Sequence, residues 1–365
     1  MNVVGAIDLE DAEGLIAADR DGLLRASSTA GAQVRAVAAA LDEGELDSLR
    51  GADRVRSLIW VAGRGTAETA GALLASTLAA AAAEPIVLLT EAPPWVGPLD
   101  VLVVAGDDPG DPTLVGAAAT GVRRGARVVV VAPYAGPLRD STAGRVSVLA
   151  PRLWGPDEFG LCRYLAAGLA ILQILDPRLS IDLAALADEL DAEVLRNSAG
   201  RELFTNPAKT LANRLTDCQV ALAGDSAATL ALARHGSSML LRIAHHAVAA
   251  AGLADAVTAL REGSHGFADP SQALFHDEQI DGPLAARLRV LALTLSGERT
   301  VVTARVAGLD DVYVLGAEDV PQLPSANGGV TAAAVPAGAG RAEQQLAVLA
   351  VRLEMAAVYL RLTRG

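Results

Sequence analysis

Residues 57–74, SLIWVAGRGTAETAGALL, constrain the fold of this chain more than any other stretch. An apolar run, Leu58–Ala62, enters Gly63-Arg64-Gly65-Thr66, and helix-compatible residues follow directly. A strand that turns straight into a helix is the unit of a parallel α/β sheet. The first peptide N–H groups of such a helix have no partner within it and point past the strand's carboxyl end, where an anion is welcome. The glycines let the backbone turn sharply and approach a ligand closely. Gly63, Arg64, Gly65 and Thr66 are therefore candidate ligand-binding residues. The alternative is a plain strand-to-helix turn with Thr66 as the N-cap.

Further apolar runs at Pro85–Leu89, Asp100–Ala105, Arg127–Ala132 and Val146–Leu149 alternate with helix-compatible segments at Glu68–Ala82 and Thr113–Arg124. Continuous Val/Leu runs separated by helices indicate a parallel sheet covered on both faces. Residues 8–43 read as helical, Phe159–Leu175 as a long apolar helix and Leu183–Arg196 as an amphipathic one. Asn206-Pro207 starts another helix, running to about Leu215. The opening pattern then recurs: Gln219–Ala223 as strand, Gly224-Asp225-Ser226 as turn, Ala227 onward as helix. Ala256–Leu260, Val290–Leu295, Thr300–Val306 and Val312–Leu315 read as strands. Pro321–Gly340, rich in Gly, Pro and Ala, reads as a linker, and Arg341–Arg364 as a terminal helix. The expected fold class is α/β, two tandem parallel-sheet domains flanked by helices. The expected division is an N-terminal helical segment (1–50), a first sheet domain (51–176), a second (177–325) and a C-terminal helix (341–365).

Hydrophobic residues make up 52% of the chain and aromatic ones only 3%, so the core is built from Ala, Val and Leu. Net charge is −13, and Lys209 is the single lysine. An acidic chain without a basic stripe or aromatic platforms argues against nucleic acid as a partner. Cys162 and Cys218 form no disulfide framework and lack metal-ligand spacing; both read as small core residues. The start MNVVGAIDLEDAEG lacks the pattern of a secretion signal, and Tyr164–Leu175 is too short to span a bilayer. The expected setting is cytoplasmic, away from membranes.

This organisation resembles the tandem sugar-isomerase (SIS) domain proteins, in particular the bifunctional phosphoglucose/phosphomannose isomerases and their divergent actinobacterial TobH-like branch. The family's Gly-x-Gly-Gly-Ser turn aligns with Gly63, Gly65, Thr66 and Ala67, its following helix with Gly71, Leu73 and Leu74. The phosphate-binding serine thus falls on Ala67. The family's second phosphate loop, Ser-x-Ser-Gly-Asn-Thr, corresponds to Ala105-Gly106-Asp107-Asp108-Pro109-Gly110, where two carboxylates replace hydroxyls. Its Thr-Ser-Gly-Gly loop corresponds to Ala132-Pro133-Tyr134-Ala135-Gly136, where Pro133 lacks an N–H. Hydrogen bonds to a charged group contribute roughly 1.5–3 kcal/mol each, so losing several weakens phosphate binding by orders of magnitude. Ionised Asp107 or Asp108 would add repulsion.

The resemblance implies aldose–ketose isomerisation, a carbohydrate or sugar-phosphate ligand bound between the domains and across a homodimer, and no cofactor or metal. The family's catalytic helix aligns with Arg234–Ala244; Arg234 matches, but the general base falls on Leu241. Losing a general base costs about 10²–10⁴ in rate. In the next motif Glu262 and His265 keep their places, entering a loop after a strand. His265 is the implied ring-opening residue, and Glu262 the nearby carboxylate able to substitute as base.

Other residues have open readings. Ser226 either takes a ligand or caps its helix. His245 and His246 lie in an Ala-rich helix, one packed and one facing water, and His276 reads as a surface turn. Asp107, Asp108 and Asp111 read mainly as a solvated loop, with a Mg²⁺ or amine site the sharper alternative. The function expected is carbohydrate-derivative binding with catalysis weakened or lost. The alternative is a non-catalytic regulatory or scaffolding partner of a sugar-nucleotide pathway enzyme. An uncharged or amino sugar would suit the acidic loop better than phosphate.

Overall fold

The computed structural model describes residues 7–51, 54–216, 218–263, 287–319 and 341–364. They form two compact units. One holds Asp19–Arg196 with Gly340–Met355; the other holds Met1–Ala18, Asn197–Ala339 and Ala356–Gly365.

The first unit begins with α2 (Leu23–Ser27) and α3 (Ala30–Asp42), while α1 (Ala12–Ala18) belongs to the second. Its sheet comprises β1 (Ser57–Ala62), β2 (Ile86–Leu89), β3 (Asp100–Ala105), β4 (Arg127–Val131) and β5 (Ser147–Val148), in the order β2-β1-β3-β4-β5. All neighbours are parallel, with Leu58 opposite Ile86 and Val101. Between the strands run α4 (Thr66–Leu78), α5 (Pro112–Arg123) and α6 (Gly136–Thr142). β1 and β3 are buried at every position, as their unbroken apolar sequence requires of central strands covered on both faces.

Small residues let the helices approach. A Cβ on Gly71 would lie 2.4 Å from the Trp60 ring, so α4 sits directly on β1. Trp60 Nε1–H donates to the Ala67 carbonyl at 3.0 Å, satisfying its buried polar atom. A Cβ on Gly168 of α7 (Leu161–Leu175) would lie 2.1 Å from Leu74. α8 (Leu183–Arg196) completes the unit with the first part of the C-terminal helix; there Arg352 Nε meets Glu193 at 2.7 Å, both buried.

The second unit repeats the plan. After α9 (Pro207–Arg214) come β6 (Gln219–Gly224), α10 (Ala227–Ala244), β7 (Ala249–Gly252), α11 (Leu253–Gly263), β8 (Leu288–Leu293), α12 (Arg299–Arg305) and β9 (Val312–Leu315). The parallel order β7-β6-β8-β9 matches that of the first four strands of the first sheet. The last helix, α13 (Ala342–Arg364), is buried along nearly its whole length.

Two expected strands are helices. Within 253–263, Leu253, Ala256, Val257 and Leu260 recur at helical spacing; they pack with Ala221, Val290 and Ala292, so α11 covers the sheet instead of joining it. Thr300–Val306 falls largely in α12, with Val302 and Val306 buried four apart. Parallel β8 and β9 need a crossover between them, and this segment supplies it. The strand overlooked in the sequence, β7, is AAAG, without the β-branched residues that mark strands. The helix holding the histidines stops at Ala244: His245 ends it at φ +50°, and His246 follows outside. Cys162 is buried, and Cys218 is only half-buried, its thiol donating to the Thr216 carbonyl at 3.2 Å. Pro321–Gly340 and His276 lie outside the described residues.

Candidate functional site

Past the carboxyl ends of β1, β2 and β3 lies a cleft of about 370 Å³, lined chiefly by Gly63, Arg64, Thr90, Glu91, Asp108 and Asp111. It sits where the chain's path through the sheet reverses direction from β1, toward β2 on one side and β3 on the other, the usual place for a ligand in an open parallel sheet. The volume suits a small molecule.

Gly63 and Arg64 line this space, and Arg64 and Gly65 are exposed, Gly65 lying outside the lining. Gly65, at φ +71°, is the N-cap of α4 and supplies no side chain to it. Thr66 is not the cap. It is the first helical residue, it is buried, and its hydroxyl donates to the Asp157 carbonyl at 3.2 Å, in the turn Asp157–Phe159.

The acidic loop after β3 divides in two. Asp108 and Asp111 line the cleft while serving their own backbone: Asp108 accepts from Gly110 N–H at 2.7 Å, and Asp111 caps α5 by accepting from Thr113 N–H at 2.8 Å. Asp107 is committed to α7 instead. Its Oδ1 accepts from Arg163 Nη2 at 2.8 Å and from the Tyr164 hydroxyl in a short hydrogen bond. Asp107 is therefore neither a solvated loop residue nor an uncompensated charge. Burial pushes the Tyr164 phenol far above its ordinary pKa, so it remains a donor at neutral pH. Among the described residues no group of three or more His, Cys, Asp or Glu is arranged to hold a metal ion.

The corresponding corner of the second sheet closes on its own side chains. Ser226 caps α10: its Oγ accepts from Thr229 N–H at 3.3 Å and donates to Glu298 Oε2 at 3.3 Å, while Thr229 Oγ1 accepts from Ser226 N–H at 3.0 Å. Asp225 pairs with Arg305. Of the two readings of Ser226, the structure displays helix capping.

Arg234 is exposed on α10, and Leu241, seven residues on and hence on the same face, is 56% exposed. Glu262 is exposed in the last turn of α11; the strand expected before it is this helix. His265 lies outside the described residues. Sequence reasoning missed Arg163 and Tyr164, whose signal was a cation beside a phenol in the first turn of an otherwise apolar helix, and Glu298, which carried none.

No family model matches the chain, and no curated protein matches it in sequence. Solved structures do. Tagatose-6-phosphate ketose/aldose isomerase from Escherichia coli superposes with a TM-score of 0.58 over 97% of this chain and 92% of that one, at 15% identity. The chain shares the fold of this isomerase. A glucose-6-phosphate isomerase like protein from Thermus thermophilus gives 0.53 over 98% and 96%, at 19% identity. The C-terminal domain of glucosamine-fructose-6-phosphate aminotransferase from Francisella tularensis gives 0.57 over 95% and 98%, at 12% identity. Such identities establish architecture, and within this fold the side chains at the first cleft are this chain's own. No helix among the described residues is long and apolar enough to cross a membrane.

Proposed function

We propose that this protein binds a carbohydrate derivative at the carboxyl end of its first sheet, as a cytoplasmic homodimer, and that hexose-phosphate isomerisation is weakened or lost. The observation that carries the reading is the cleft itself, a small-molecule volume at the switch point of a phosphosugar-isomerase fold. Gly63 lets a ligand approach the backbone closely, and Arg64, Glu91 and Asp108 offer hydrogen bonds to hydroxyl groups. The weakened catalysis follows from the resemblance: the position aligned with the family's base is Leu241, which accepts no proton. Any residual turnover is assigned to His265 for ring opening and Glu262 as base.

A thermal-shift panel of neutral, amino and 6-phosphorylated hexoses tests the binding, with a coupled assay for hexose 6-phosphate interconversion. A sugar-specific shift lost in Arg64→Ala is the expected result. Indifference to every sugar, together with co-purification of another enzyme, would favour the regulatory-partner alternative. Robust interconversion abolished by His265→Ala would overturn the loss of catalysis.

A further inference from the structure

We propose that Asp107 is a built-in anion occupying an anion receptacle formed by Arg163 and Tyr164, and that it makes this corner of the first sheet select ligands with no phosphate at that position. For the ligand's identity this rests on the carbohydrate-binding reading; the receptacle itself does not. Two donors from adjacent residues of α7 converge on one carboxylate oxygen, Arg163 Nη2 at 2.8 Å and the Tyr164 hydroxyl. Stacking of the guanidinium over the Tyr164 ring, 4.1 Å from its centroid, holds both donors in place. The side chains are mostly buried, Arg163 at 12% exposure and Asp107 at 19%.

The donors outnumber what the carboxylate takes up. Arg163 Nη1 is buried without a hydrogen-bond partner. A buried donor left unmade is costly, and the unpartnered Oε1 of Gln33 lines the same small cavity, so this guanidinium nitrogen has no anion of its own beyond the Asp107 contact. A guanidinium suits phosphate as well as carboxylate, and a tetrahedral anion offers more acceptor oxygens than Asp107 does. While Asp107 is in place, an incoming phosphate meets a filled site and the neighbouring charge of Asp108. Asp107, Arg163 and Tyr164 stand outside the lining of the cleft, which the next residue, Asp108, does line; a ligand there therefore presents hydroxyl or amino groups toward this loop.

The test is anion rescue. Replacing Asp107 with Ser leaves a mostly buried guanidinium without its counterion and lowers the unfolding midpoint by about 5 °C. Millimolar inorganic phosphate, against chloride at equal ionic strength, returns at least about half of that loss by occupying the vacated site. The wild type does not respond, and Arg163→Gln in the Asp107→Ser background removes the rescue. Asp107→Asn keeps an acceptor for both donors; it folds if the serine variant does not, and shows a smaller fall with a weaker, still phosphate-specific recovery. Recovery by chloride alone, or none in either variant, overturns the receptacle. Wild-type binding of inorganic phosphate or of hexose 6-phosphates that Arg163→Gln abolishes overturns the selectivity. Phosphate rescue together with indifference of the wild type to neutral and amino sugars keeps the receptacle and sinks the carbohydrate reading instead.

Discussion

The two sheets share a strand order and a strand–turn–helix opening, yet their turns have opposite fates. In the second, Gly224 admits the first turn of α10 so closely that a Cβ would lie 2.2 Å from Leu230 N. Ser226 and Thr229 cap each other, and Glu298 and Arg305 bind what remains. In the first, the cap is a glycine without a side chain, and a cleft remains beside it. The same fold thus yields a self-satisfied corner and a receptive one, depending on whether the turn carries hydroxyls or glycine.

The largest difference is expected from alanine at Gly63 and at Gly224, positions one residue apart in register, where Ala62 already stands as the counterpart of Gly224. Gly224→Ala forces backbone apart and should cost about 2–3 kcal/mol by chemical denaturation. Gly63→Ala meets only the Asp111 carboxylate, at 3.3 Å, and should cost less than about 1 kcal/mol. Equal costs would mean that the turns are equally packed.

Acid should separate the sheets next. At matching register the first opens on Ser57 opposite Asp100, the second on Gln219 opposite Leu288. Burial opposes ionisation of Asp100, but hydrogen bonds from Arg56, Ser57 and Gly97 N–H outweigh it and hold the carboxyl below its ordinary value of 3.8. Because the folded-state value is the lower one, the stabilisation is present above the unfolded value and is lost as pH falls through the folded one. Asp100→Asn should flatten this acid dependence in urea melts taken from pH 5 downward; an unchanged slope would count against the clamp.

Caps give the next effect. Ser226→Ala should cost about 1 kcal/mol, as N-cap losses do. Thr66→Val should cost about as much by another route, its lost bond to the Asp157 carbonyl. The smallest expected effect on stability is Arg64→Ala, within about 0.5 kcal/mol for an exposed side chain. Its readout is sugar binding, and a variant that binds normally would remove Arg64 from the site.

Much of the scaffold was legible because central parallel strands announce themselves: SLIWVA, DVLVVA and RVVVV are apolar runs that need no partner to be recognised. Ala256–Leu260 and Thr300–Val306 were misread because short segments rich in Ala, Val and Thr satisfy either period, and their helical spacing emerges only over a longer window. The glycine corner was legible as a turn. The roles of Thr66 and Asp107 were not, since their partners lie 91 and 56 residues away.

By itself, the sequence determined the alternation of buried strands and covering helices, the recurrence of a glycine-led turn, and the acidic loop after the third strand. Those properties follow from local patterns of side-chain polarity and backbone freedom. Only the tertiary structure decided which polar groups answer one another: Asp107 turned toward Arg163 and Tyr164, Ser226 spent on its own helix, and Asp108 left facing the cleft. A charge takes its meaning from the donors that packing brings within hydrogen-bond distance, and packing joins residues the chain keeps far apart.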